Sequence, residues 1–175
     1  MNEQAPPMSH VFDLGDLSQA GSQVAVAAHD DELGPLARWA NVDAVRAFTA
    51  DVELRRVSQN RFAFEAELNA DILQSCIVTL EPLETHITRH IARELHYVPR
   101  PHADDGELTL AAGDDEVPEE ISSLDYDLAG PLLEEFVLAI DLYPRKEGVA
   151  FEPPKEQAET PQSPFAVLKS LKQGG

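Results

Sequence analysis

Arg61-Phe62-Ala63-Phe64-Glu65-Ala66-Glu67-Leu68-Asn69-Ala70-Asp71-Ile72-Leu73 is the stretch on which the fold turns. Phe62, Phe64, Ala66, Leu68, Ala70 and Ile72 fill the even positions, and Arg61, Glu65, Glu67, Asn69 and Asp71 take most of the odd ones. Period two predicts a long strand with one face buried and one wet. In the continuation Ser75-Cys76-Ile77-Val78-Thr79-Leu80-Glu81-Pro82-Leu83, Pro82 has no N–H to give a sheet ladder and marks a break or an edge. From Leu83 to Val98, Leu83, Ile87, Ile91 and Leu95 recur every four residues, a spacing that suits one stripe of a helix or alternate inward positions of a strand. Thr85, Ile87, Thr88 and Ile91 favour a pleated surface, so we read it as a strand.

On the N-terminal side, residues 1–7 read as a flexible end, His10 to Leu14 as a short strand closed by Gly15, and Gln23 to Ala27 as a second strand. Asp30 or Asp31 is placed to cap a helix with Leu33, Leu36, Ala37 and Ala40 at helical spacing, Pro35 in its first turn and Trp39 packed at its end. Val42 to Val57 alternates again, with Ala50, Val52 and Leu54 against Asp51, Glu53 and Arg55. Ser58-Gln59-Asn60 then turns the chain into the central strand as an antiparallel hairpin.

Between Pro101 and Pro144 there is no lysine or arginine, and Asp104, Asp105, Glu107, Asp114, Asp115, Glu116, Glu119 and Glu120 crowd together. Like charge with few apolar anchors predicts a solvated acidic loop over about 101–126, with a possible short strand at Leu108-Thr109-Leu110. Asp127 is placed to cap a helix whose inward stripe is Leu128, Leu132, Leu133, Phe136, Val137 and Ile140, with Glu134 and Glu135 towards water. Residues 152–163 read as a linker rich in proline and charge. Beyond it, Ser163 as cap and Pro164 at the first helical position open a short helix, 164–172, with Phe165, Leu168 and Leu171 on one face. Two turns are unstable alone, so this helix needs a surface to dock on, its own domain or a partner's.

The chain has 175 residues, 43% of them hydrophobic, enough for one domain with tails. No run is long enough to span a bilayer, and Met1-Asn2-Glu3-Gln4 has neither the basic start nor the apolar core of a secretion signal. One cysteine excludes an internal disulfide and suits a reducing cytoplasm. A net charge of -19 repels phosphate backbones at long range; it serves solubility, and its sharper use is attraction to a basic protein.

Candidate chemistry is sparse. Cys76 lacks a local CxxC partner and reads as a small apolar filler. His86, His90, His96 and His102 lack the carboxylates or thiols of a tight metal pattern and read as solvated. Arg55, Arg56, Arg61, Arg89 and Arg93 would make an RNA-contacting patch, with pairing to Glu53, Glu65 and Glu94 as the ordinary alternative. No nucleophile elbow, phosphate-binding glycine loop or HExxH is present, so no catalytic, cofactor-binding or metal site is expected.

Taken in order, Cys76-Ile77-Val78-Thr79-Leu80-Glu81-Pro82-Leu83, the acidic loop, Asp127-Leu128 opening the Leu132 to Ile140 helix, Asp141-Leu142-Tyr143-Pro144-Arg145, and Pro164-Phe165-Ala166-Val167-Leu168-Lys169-Ser170-Leu171-Lys172 resemble the YceD family, the large ribosomal RNA subunit accumulation proteins. The likeness runs over most of the chain after about residue 45, and the closing PFAVLxxLK is its most specific part. The resemblance implies accumulation or processing of large-subunit ribosomal RNA without a known catalytic activity. Many members carry a CxxC where this chain has Cys76 and Thr79. The missing second thiolate points to a variant in which packing has replaced the metal.

The sequence therefore predicts one α+β domain over 8–151, an antiparallel sheet covered by two or three helices, with an acidic loop and a tethered C-terminal helix. The expected function is a non-enzymatic, cytoplasmic assembly factor without cofactors. Its partner would be a ribosomal protein or a large-subunit precursor particle, with RNA contact indirect and neither a membrane nor a small-molecule substrate involved. Phe165, Leu168, Lys169, Leu171 and Lys172 are its candidate partner-binding residues, and direct RNA binding through the arginine patch is the alternative.

Overall fold

A computed structural model of the chain describes residues 5–99 and 118–149. Seven strands, β1 (Val11–Asp13), β2 (Ser22–Ala27), β3 (Ala44–Arg56), β4 (Arg61–Ser75), β5 (Pro82–Tyr97), β6 (Glu119–Ile121) and β7 (Asp125–Asp127), accompany two α-helices, α1 (Asp30–Ala40) and α2 (Ala129–Ala139). The main sheet runs β2-β3-β4-β5-β6, and β1 and β7 form a separate antiparallel ribbon.

This overturns the expected fold class. The described residues are mostly strand, a five-stranded sheet and a separate two-stranded ribbon with only two α-helices, so this is not the expected single sheet covered by helices. The sheet is not purely antiparallel, because β6 runs parallel to β5. β6 and the first two residues of β7 lie within the span expected to be an acidic loop. They order because Ile121 and Tyr126 are buried apolar anchors at the end of that acidic stretch. The Leu108-Thr109-Leu110 strand, the 152–163 linker and the 164–172 helix lie outside the described residues.

β4 is the centre, and its alternation is complete: Phe62, Phe64, Ala66, Leu68, Ala70 and Ile72 are all buried. β5 pairs along its whole length, Arg61 opposite His96 and Ser75 opposite Pro82. Its period of four has a simple origin. Ile87, Ile91 and Leu95 point inward and are buried, while Arg89 and Arg93, on the same face between them, are more exposed. β3 pairs with β4 through a bulge at Arg46, an extra residue between Val45 opposite Ile72 and Ala47 opposite Asp71. The insertion shifts the alternation by one, so Val45 and Phe48 both reach the core.

The inner face of the sheet shares one core with Leu36 and Ala37 of α1 and with Leu132, Leu133 and Phe136 of α2. Phe136 meets Phe48 edge to face with centroids 5.3 Å apart. The ribbon closes the remaining end, where Tyr126 packs on Phe64 and the Asp127 carboxylate accepts from the N–H groups of His10 and Ala129. Asp127 thus serves α2 from within a strand, while α1 is capped by His29, whose N–H donates to Glu32, rather than by Asp30 or Asp31. Val137, expected on the buried stripe, is 38% exposed. No helix among the described residues is long and apolar enough to cross a membrane.

Candidate protein-docking face

The face of β2 to β5 opposite the core is wet, and register puts its charges in rows across the strands. Ala25, Asp51, Glu67 and His90 form one row, and Gln23, Glu53, Glu65 and Ala92 form the next. Small residues and the natural twist of the strands leave an open depression of about 550 Å³ there, lined chiefly by Gln23, Ala25, Asp51, Glu53, Glu67 and His90.

Two carboxylate pairs lie directly opposite each other, Glu53 with Glu65 and Asp51 with Glu67. Like charges at that spacing are destabilising. Arg55 relieves the first pair, its guanidinium bonding Glu65 and lying 3.4 Å from Glu53. Asp51 and Glu67 have no ion-pair partner among the described residues. Further along, Asp71 bonds His86 at 2.7 Å, and Thr88 bonds both His86 and Asn69. The face is therefore acidic, concave and only partly neutralised, which suits a cationic partner.

The five arginines of the candidate RNA patch are divided between the two sides of the sheet. Arg55 and Arg61 share the wet face, Arg61 paired with Glu94 at 2.7 Å. Arg56 lies on the other side, donating to the carbonyls of Leu14 and Gly15 and stacking over Phe62. Arg93 ties Glu134 of α2 and Glu119 of β6 to β5, and Arg89 has no carboxylate partner among the described residues. Parity along each strand already separated Arg55 from Arg56. The rows of carboxylates needed the register and had no signal in the chain read alone. Phe165, Leu168, Lys169, Leu171 and Lys172 lie outside the described residues, as does His102.

Cys76 sits at the tip of the β4–β5 hairpin and exposes no surface. The Thr79 hydroxyl, the Lys146 N–H at 3.4 Å and the Thr79 N–H, with a smaller share from the Val78 N–H, bring the thiol down to about 6 against the opposing effect of burial. A zinc held as in CxxC members does not fit. Thr79 stands in place of the second thiolate, and the described residues contain no group of three or more His, Cys, Asp or Glu that would hold a metal.

Against known families, residues 64–172, more than half of the chain, match the large ribosomal RNA subunit accumulation protein YceD. The chain belongs to the YceD family. No curated protein and no solved structure matches it. The YceD match begins within β4, so β2, α1 and β3 lie before it, while the Cys76 turn and α2 lie inside it. Family membership carries a role in accumulation of large-subunit ribosomal RNA.

Proposed function

We propose that this protein is a non-enzymatic, cytoplasmic assembly factor of the large ribosomal subunit that supports ribosomal RNA accumulation by holding a basic ribosomal protein or the precursor particle that carries one. The observation behind it is the acidic depression on the open sheet face, where Asp51 and Glu67 oppose each other without a cation among the described residues. A lysine or arginine arriving there removes a like-charge repulsion as well as gaining an attraction. The net charge of -19 adds long-range steering towards a cationic partner and away from bare RNA.

The test is association of tagged protein with large-subunit precursors in cell extracts. The double reversal Asp51→Lys/Glu67→Lys, at two exposed positions, is expected to weaken association about tenfold or more, as opposed charges at an interface do. Association should survive nuclease treatment. Association lost to nuclease, or lost when Arg55, Arg61 and Arg89 are neutralised while the reversal has no effect, would instead support direct RNA contact through the arginines.

A further inference from the structure

Four exposed apolar side chains gather at the end of the molecule farthest along β4 from Arg61: Ile77 (44% exposed), Leu80 (77%), Leu142 (78%) and Tyr143 (69%). They come from two loops held side by side. The Ile77 N–H donates to the Pro144 carbonyl at 3.0 Å, Gln74 Nε2 donates to the Asp141 carbonyl at 2.9 Å, and Lys146 Nζ pairs with Glu81 at 2.8 Å. Leu80 is also in the left-handed region, with φ of 60°. That conformation costs a β-carbon-bearing residue roughly 1–2 kcal/mol and is natural only for glycine and, less so, asparagine. An apolar side chain is thus displayed to solvent from a strained backbone.

We propose that the C-terminal stretch of the same chain, Pro164 to Lys172, docks on this surface, with Phe165, Leu168 and Leu171 against Ile77, Leu80, Leu142 and Tyr143. The same stretch brings the cations Lys169 and Lys172 to a loop that carries Asp141 and Glu147, neither of which has an ion-pair partner among the described residues. Position favours this occupant. The described chain ends at Val149, whose N–H donates to the Lys146 carbonyl within the same loop. Residues 150–163 then span up to roughly 45 Å when extended, enough to place the stretch anywhere on the patch. Tethering supplies an effective concentration in the millimolar range, so a contact too weak to hold between molecules suffices within one. A second copy of a chain with net charge -19 is disfavoured by repulsion. The family match also spans both surfaces, from before the Cys76 turn through Lys172. None of this depends on the partner proposed for the acidic face.

Hydrogen exchange on the full chain tests it. Amides of 164–172 are expected to exchange roughly tenfold or more slowly than in a free peptide of the same sequence, at a rate unchanged on dilution. Leu80→Asn keeps a residue suited to the left-handed turn while removing the apolar side chain, and should return 164–172 to the peptide's rate. Leu168→Ser should speed exchange in residues 77–81. Leu142→Ser is the second probe of the patch, with continued protection of β4 showing that each variant is folded. Peptide-like exchange of 164–172 in the unmodified chain, protection that ignores both Leu80→Asn and Leu142→Ser, or protection lost on dilution as for a second copy would each overturn the proposal.

Discussion

At the scale of single residues, Asp51 and Cys76 show how polar groups are used here. Asp51 opposes Glu67 across the β3–β4 pair, so Asp51→Thr removes a repulsion and adds a better strand former. Urea unfolding should show the variant more stable by about 0.5 kcal/mol, while its association with precursors weakens, the opposite signs expected of a side chain placed for binding. Cys76 predicts a pH effect. Its thiol is lowered from 9.0 to about 6 in the fold, so between those values the unfolded chain holds a proton that the native chain lacks, and its contribution to stability is complete above pH 9 and gone below pH 6. Lys146, raised by Glu81, stays charged throughout that window. The stability difference between the unmodified protein and Cys76→Ala, followed by urea unfolding, should grow as pH rises from 6 to 9. A flat difference would mean that the thiol stays protonated. The sequence presented Cys76 as an apolar filler. Its burial agrees, but the donors around its sulfur come in part from Lys146, seventy residues away, and no local pattern announces them.

Among the elements, the long central hairpin was the most legible part of the chain. β4 declares itself because every inward position from Phe62 to Ile72 is apolar, only Gln74 at its end being polar, and β5 was ambiguous because Arg89 and Arg93 interrupt its inward face. Arg93 sits there for a reason the sequence does not carry, bonding Glu134 of α2 at 2.7 Å and Glu119 of β6 at 3.4 Å. β6 and β7 were hidden by the acidic composition around Ile121 and Tyr126, since three-residue strands have no periodicity to detect. The bulge at Arg46 was equally silent, because it is a property of pairing. Its importance can be measured: Arg46→Ala keeps the inserted residue and should be nearly neutral, and deleting residue 46, which leaves Val45 and Phe48 two apart and in phase on a regular strand, should lower the urea midpoint only slightly; a severe loss would show that the bulge itself is needed. The hold of α2 on the sheet rests on Phe136 against Phe48. Phe136→Ala should cost about 3–5 kcal/mol by denaturant unfolding, the usual toll for emptying an aromatic site in a core.

For the molecule as a whole, asymmetry between the two sides of the sheet is the central fact. One side is sealed by α1, α2 and the β1–β7 ribbon, and the other is open and largely acidic. Composition made the charge legible, but its concentration in rows on one face emerged only from register. If that face meets a cationic partner, association with precursors should fall as salt rises, and the fall should be shallower for Asp51→Lys/Glu67→Lys than for the unmodified protein. Sedimentation at graded ionic strength measures both slopes, and equal slopes would place the contact elsewhere. The depression also straddles a boundary. Asp51 and Glu53 precede the stretch that matches the family, while Glu65, Glu67 and His90 fall inside it. A ligand lying across it grips one bank carried on β3 and another carried on β4 and β5, so its hold depends on those strands keeping their register.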